Sequence, residues 1–216
     1  MRRPLVDEVD ARILPGLKSW FVAEDLVNKF SDGTDAGYAL DRSGYGNNLG
    51  SGGVVPKFRT NSCNGYAAWD FNGGMDLRAA NLVLPNVWGA FAVVKHNIPG
   101  NWLTGWGEGF ITDYAGTQGS LMGQNDTQNV SKFGSDIVYV NGALTNAVTN
   151  TDAWNLFYIE FSTTRTYTGT MMGRAGTTAG FANAKIAECG FFGTNPHRLG
   201  TPSIWIVRTS PRLEAR

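Results

Sequence analysis

DIVYVNGALTNAV, residues 136–148, decides the fold class. Two runs of apolar and β-branched residues flank Asn141-Gly142. The tightest hairpin turns need positive φ at both central positions, which Asn and Gly adopt most readily. The stretch therefore predicts a β-hairpin. NLFYIEFST (155–163) follows, and a pleated strand there puts Phe157, Ile159 and Phe161 on one face and Leu156, Tyr158 and Glu160 on the other. GAFAVVK (89–95) is apolar on both faces. KSWFVA (18–23), YAAWDF (66–71, closed by NGG), AKIAECGFFG (184–193) and SIWIV (203–207) extend the set. Seven or more strands with turn residues between them predict an all-β, two-sheet antiparallel β-sandwich, a jelly roll. Trp20, Trp69 and Trp205 lie in these strands and are expected in the core.

The sandwich is placed at 15–207, with an N-terminal arm at 1–14 and a tail at 208–216. Leu5, Val9 and Ile13 recur every four residues, which suits a short amphipathic helix or a docking arm ending before Pro15. At 216 residues the chain suits one large β domain with enough core to fold without staples.

Lys plus Arg and Asp plus Glu each total 18, so the formal charge is zero. Nucleic-acid binders normally carry a basic excess, so that partner is not expected. Only 17% of residues are charged, which favours association with other protein surfaces. No stretch reaches the roughly 20 apolar residues of a membrane span, and the N-terminus lacks a signal-peptide core. The expectation is cytoplasmic synthesis without the general secretory route, and exit inside a larger particle. The two cysteines, Cys63 and Cys189, read as thiols.

YALDRSGYGNNL, residues 38–49, is polar and glycine-punctuated. Asp41 has two readings. A carboxylate there can accept bonds from the N–H groups of the next turn and brace the fold. It can also join Asp32 and Asp35 as a calcium ligand, although SDGTDAGYALD lacks EF-hand spacing. No other cofactor is expected.

GLKSWFVAEDL (16–26) resembles the opening strand of the concanavalin A-like lectin/glucanase superfamily, in particular its laminin-G-like domains. The family order continues with Asp41, Ser43-Gly44 and Gly46-Asn47-Asn48, then Phe71-Asn72-Gly73, YVNG (139–142) and IAECGFF (186–192). The resemblance runs from about 16 to 195, and residues 97–133 carry no family signature. It implies a sandwich fold and, in that fold, the structural role for Asp41.

The same superfamily includes glycoside hydrolases, whose catalytic strands carry a Glu-x-Asp-x-Glu type of pattern. None occurs here. Glu160 and Glu188 are each the only acid on their strands, and Glu108 and Asp113 are five apart. Paired carboxyls about 5 Å apart are therefore not expected, nor is an enzyme. His96 and His197 have no motif around them, and no phosphate-cradling Gly-x-x-x-x-Gly-Lys occurs.

Two functional readings remain. Trp102, Trp106, Tyr114, Asn125 and Asp126 have the composition of a sugar-binding loop, with aromatic faces for pyranose rings. The alternative is a structural, decoration or adhesion subunit of a particle, namely a bacteriophage virion. Its partners would be other protein subunits, met through the terminal arms. A stand-alone extracellular carbohydrate-binding module is the counterpart reading.

Overall fold

The computed structural model describes residues 16–97, 108–113, 121–124, 129–130, 136–148, 152–175 and 179–193. The described residues form β1 (Leu17–Val22), β2 (Tyr38–Ala39), β3 (Leu49–Ser51), β4 (Lys57–Cys63), β5 (Tyr66–Asn72) and β6 (Leu77–His96). There follow β7 (Glu108–Asp113), β8 (Leu121–Gln124), β9 (Asn129–Val130), β10 (Ile137–Val140) and β11 (Ala143–Leu144). The last are β12 (Asn155–Met172), β13 (Arg174–Ala175), β14 (Ala179–Phe181) and β15 (Asn183–Phe192). A 3-10 turn, Ala23–Leu26, follows β1.

The chain is all-β, and its strand ladders are antiparallel. Hydrogen bonding runs through one large sheet in the order β4-β5-β15-β6-β12-β7-β8-β9. β1 joins β15, and β10 joins β12 and carries β11 at its edge. β13 and β14 pair separately.

The Asn-Gly hairpin forms as read. Asn141 and Gly142 have φ of 52° and 83°, and Val140 pairs with Ala143. A second Asn-Gly turn, Asn64-Gly65, has φ of 48° and 91° and closes β4 onto β5. The Asn141 side chain does more than turn the chain. Its Oδ1 accepts the Leu156 N–H at 2.8 Å and its Nδ2 donates to Asn155 Oδ1 at 2.8 Å. The hairpin is thereby tied to the start of β12.

Two strands run far beyond their predicted lengths. β6 has 20 residues and β12 has 18. They pair with each other across irregularities at Glu160/Arg165, Arg165/Tyr167 and Thr168/Thr170. An extra residue on one strand bends it and increases twist, so bulged strands of this length curl instead of running flat. Pro85 and Asn86, the latter at φ 56°, lie opposite this region.

Side chains from the central strands are buried on both faces. Phe21, Phe58, Trp69, Phe71, Phe157, Ile159, Phe161 and Phe191 share the larger core. Trp20, Val22, Phe91, Val93, Leu156 and Tyr158 form a second cluster on the reverse face. The alternation of β12 is the predicted one, and Trp20 and Trp69 are core as expected. Trp205, the segment 203–207 and the arms at 1–14 and 208–216 lie outside the described residues. Gly190 shows how tightly the reverse face packs: a Cβ there would collide with the Ser19 carbonyl oxygen and the Phe91 ring. Cys63 and Cys189 are buried in different clusters and form no disulfide.

Candidate functional site

The polar loop after β2 is built around one carboxylate. Asp41 Oδ1 accepts the backbone N–H groups of Trp20 and Ser43, each at 2.9 Å. Its Oδ2 accepts the Ser43 hydroxyl at 2.7 Å and the Asn47 N–H at 2.9 Å. Asn47 Nδ2 donates to the Lys18 carbonyl at 2.6 Å, and Asn48 Oδ1 accepts the Asp41 N–H at 2.8 Å. Gly44 and Gly46, at φ of 87° and 75°, let the turn wrap back. This geometry is that of a brace between the loop and β1.

The other two calcium candidates face β4. Asp32 accepts the Thr60 N–H at 2.9 Å, and Asp35 pairs with Lys57 at 2.7 Å. Among the described residues no three His, Cys, Asp or Glu side chains gather as metal ligands. Trp102, Trp106, Tyr114, Asn125 and Asp126 lie outside the described residues, so the sugar-loop reading has no geometry here.

Glu188 and Glu160 are buried acids on the reverse face of the sheet. Glu188 Oε1 accepts the Trp20 indole N–H at 2.7 Å. The Arg42 guanidinium sits over the Trp20 ring at 4.9 Å and pairs with Asp25 at 3.2 Å. Glu160 lies beside Tyr158 and Tyr139. Burial first, and the Glu160 charge second, push both phenols above their ordinary pKa. Burial, then Glu188, likewise pushes the Cys189 thiol well up.

The two acids do not converge. Glu160 faces Gly89 and Glu188 faces Val93 on the intervening β6. Two strand spacings of about 4.8 Å and four residues at about 3.3 Å place their Cα atoms roughly 16 Å apart. Glycosidase pairs stand about 5–9.5 Å apart.

No family model, curated protein or solved structure matches the chain. Its chemistry must be read from its own side chains.

Beyond Asp70 the reverse face turns polar. Lys57, Asp70, Lys185 and Lys95 stand in register across β4, β5, β15 and β6. Asp70 Oδ2 accepts Arg59 Nε at 2.8 Å and its Oδ1 accepts Asn97 Nδ2 at 2.8 Å. Lys185 Nζ donates to Asn97 Oδ1 at 3.0 Å. Trp154, half-buried, sits at the start of β12 with its indole N–H on the Ser62 carbonyl at 3.1 Å. Asn155 pairs with Val94, so Trp154 falls across from Lys95. Sequence reading missed this row because its members come from four distant segments. Only strand register brings them together.

A third feature lies at the sheet edge. Ile137 and Tyr139 share a face of β10, and Leu144 on β11 stands opposite Tyr139. Leu144 is 71% exposed and Ile137 39%. Among the described residues β11 pairs only with β10.

Proposed function

We propose that the chain is a non-enzymatic, lectin-like β-sandwich that works as a structural, decoration or adhesion subunit of a particle such as a phage virion. The observation that carries this reading is the β10–β11 edge. An edge strand offers unpaired N–H and C=O groups, and proteins usually blunt it with charge or proline. Here it ends in an exposed Leu144 beside Ile137, with neither charge nor proline in Ile137–Val140 or Ala143–Leu144. Such an edge suits pairing with a neighbouring subunit.

Two further observations support the reading. The larger core gathers side chains from β1, β4, β5, β6, β12 and β15, which suits sheet faces packed against each other across one apolar layer. The carboxylates of Asp41, Asp70, Asp136 and Glu188 are engaged by donors that hold the fold, which suits a non-catalytic role. The resemblance to laminin-G-like domains points the same way.

The test is the mass of the full chain in solution, by native mass spectrometry or sedimentation. Wild type is expected to form oligomers that Leu144→Asp, alone or with Ile137→Asp, returns to monomer. A folded wild-type monomer at every concentration, unchanged by Leu144→Asp, would overturn it. The second reading, a stand-alone carbohydrate-binding module, is favoured by the polar row beside Trp154.

A further inference from the structure

Lys185 and Lys95 are directly opposed on neighbouring antiparallel strands. Like charges at such positions are destabilising. Both lysines are half-buried, in a chain with few charges. Among the described residues neither has a carboxylate at ion-pair distance, since Asp70 turns its oxygens to Arg59 and Asn97. Asn97 is itself fixed: its Nδ2 also donates to the Phe71 carbonyl at 3.0 Å, and its backbone N–H donates to the Asn183 carbonyl at 3.0 Å. Through Asn97 Oδ1 it pins the Lys185 ammonium, which keeps two further N–H donors. Asp70 stands beside Lys185 in the row, but its oxygens are taken by Arg59 and Asn97.

We infer that Lys95 and Lys185, steadied by Asn97 and bordered by Trp154, form a binding site for an anionic oxygen group: the carboxylate or sulfate ester of an acidic glycan. The biological setting rests on the adhesion reading above. The site itself rests on the lysine pair alone. An oxyanion between the two ammoniums converts a repulsive pair into two charge-assisted hydrogen bonds. Trp154 offers apolar surface at the next position in the row, where a sugar ring attached to that anion would lie. A continuous polyanion such as nucleic acid fits poorly, because Asp70 and then Asp35, paired to Lys57, stand further along the same row.

The experiment titrates the full chain with four probes: a sulfated tetrasaccharide, a uronic-acid tetrasaccharide, a neutral tetrasaccharide and inorganic sulfate. Binding is read by calorimetry and by tryptophan fluorescence, with single-stranded oligonucleotide as a fifth arm. One or both acidic sugars are expected to bind, weakening as salt rises, and to be displaced by inorganic sulfate in large excess. Lys95→Gln with Lys185→Gln should lower that affinity at least about tenfold, with circular dichroism unchanged. Lys29→Gln, whose ammonium sits over the Tyr38 ring, should not alter it. Trp154→Ala should weaken the sugars but not inorganic sulfate.

Failure of both acidic sugars to bind folded wild type overturns the inference, as does an affinity the double variant leaves unchanged. Tighter binding of the oligonucleotide than of either sugar overturns the glycan assignment. Inorganic sulfate binding with no preference for either sugar does so too. Oligomerisation of wild type is read separately by mass, so the assembly reading can stand when this site fails, and the reverse.

Discussion

The Trp20 indole donates to Glu188 across the β1–β15 ladder, with both groups buried and 168 residues apart in the chain. This bond joins the first strand of the described fold to its last. Trp20→Phe keeps an aromatic ring but trims the fused five-membered part of the indole and removes the donor from a buried carboxylate. The expected loss is about 1–3 kcal/mol, read as a lower urea midpoint at constant slope. Glu188→Gln, which keeps an acceptor, should lose less. An unchanged midpoint for Trp20→Phe would show that the bond contributes nothing.

Asp41 should behave as a brace. Asp41→Ala removes four accepted bonds and leaves the loop tied to β1 by fewer contacts, among them Asn47 to the Lys18 carbonyl. A loss of about 3 kcal/mol is expected, since charge-assisted bonds contribute about 1.5–3 kcal/mol each and are not additive. Hydrogen exchange should accelerate at the amides of Trp20, Ser43 and Asn47 before the core opens. Strong calcium-dependent stabilisation of wild type, lost in Asp41→Ala, would instead favour a ligand role.

Arg165 and Asp136 form a buried ion pair at 2.6 Å, with Ser162 also donating to Asp136 and the guanidinium 3.8 Å from the Phe161 ring centre. Arg165→Met strands a buried carboxylate, so a loss of about 3–5 kcal/mol is expected. Thermal melts of the variant should show it as a large drop in Tm. A drop of a degree or less would mean that solvent reaches Asp136.

His96 gives a pH signature. It is buried edge-on to Phe110, and burial lowers its pKa from 6.5 to about 4. Between those values the unfolded chain binds a proton that the folded chain does not. Stability therefore falls as pH drops from about 6.5 to about 4, by up to about 3 kcal/mol from this group. Below that window the difference is constant. The gap in stability between wild type and His96→Gln, measured by urea titration across this range, should narrow as pH falls. A gap independent of pH would contradict the burial of the neutral ring.

Much of the fold was legible because its signals are local. Asn141-Gly142 names a turn type, and the alternation in 155–161 names two faces. The extensions of β6 to Leu77 and of β12 to Met172 were not legible. The predicted strands stop at 89–95 and 155–163, whereas in the sheet pairing resumes beyond irregularities near Asn86 and between Glu160 and Arg165. β4 was missed because KFRTNSC is mostly polar, as an edge strand exposing one side can be. Asp41 could be placed as a brace from its Ser-Gly turn, since its partners Ser43 and Asn47 are near in sequence. The lysine row could not, because Lys95 and Lys185 are neighbours only through register.

The central claim is that the β10–β11 edge is a contact surface for another subunit. Hydrogen–deuterium exchange at the Leu144 amide, which faces away from β10, followed from dilute to assembled chain, tests it most directly. Protection that rises on assembly, and is absent in Leu144→Asp, is the predicted result. Equal, rapid exchange at this amide in dilute and assembled samples would contradict it.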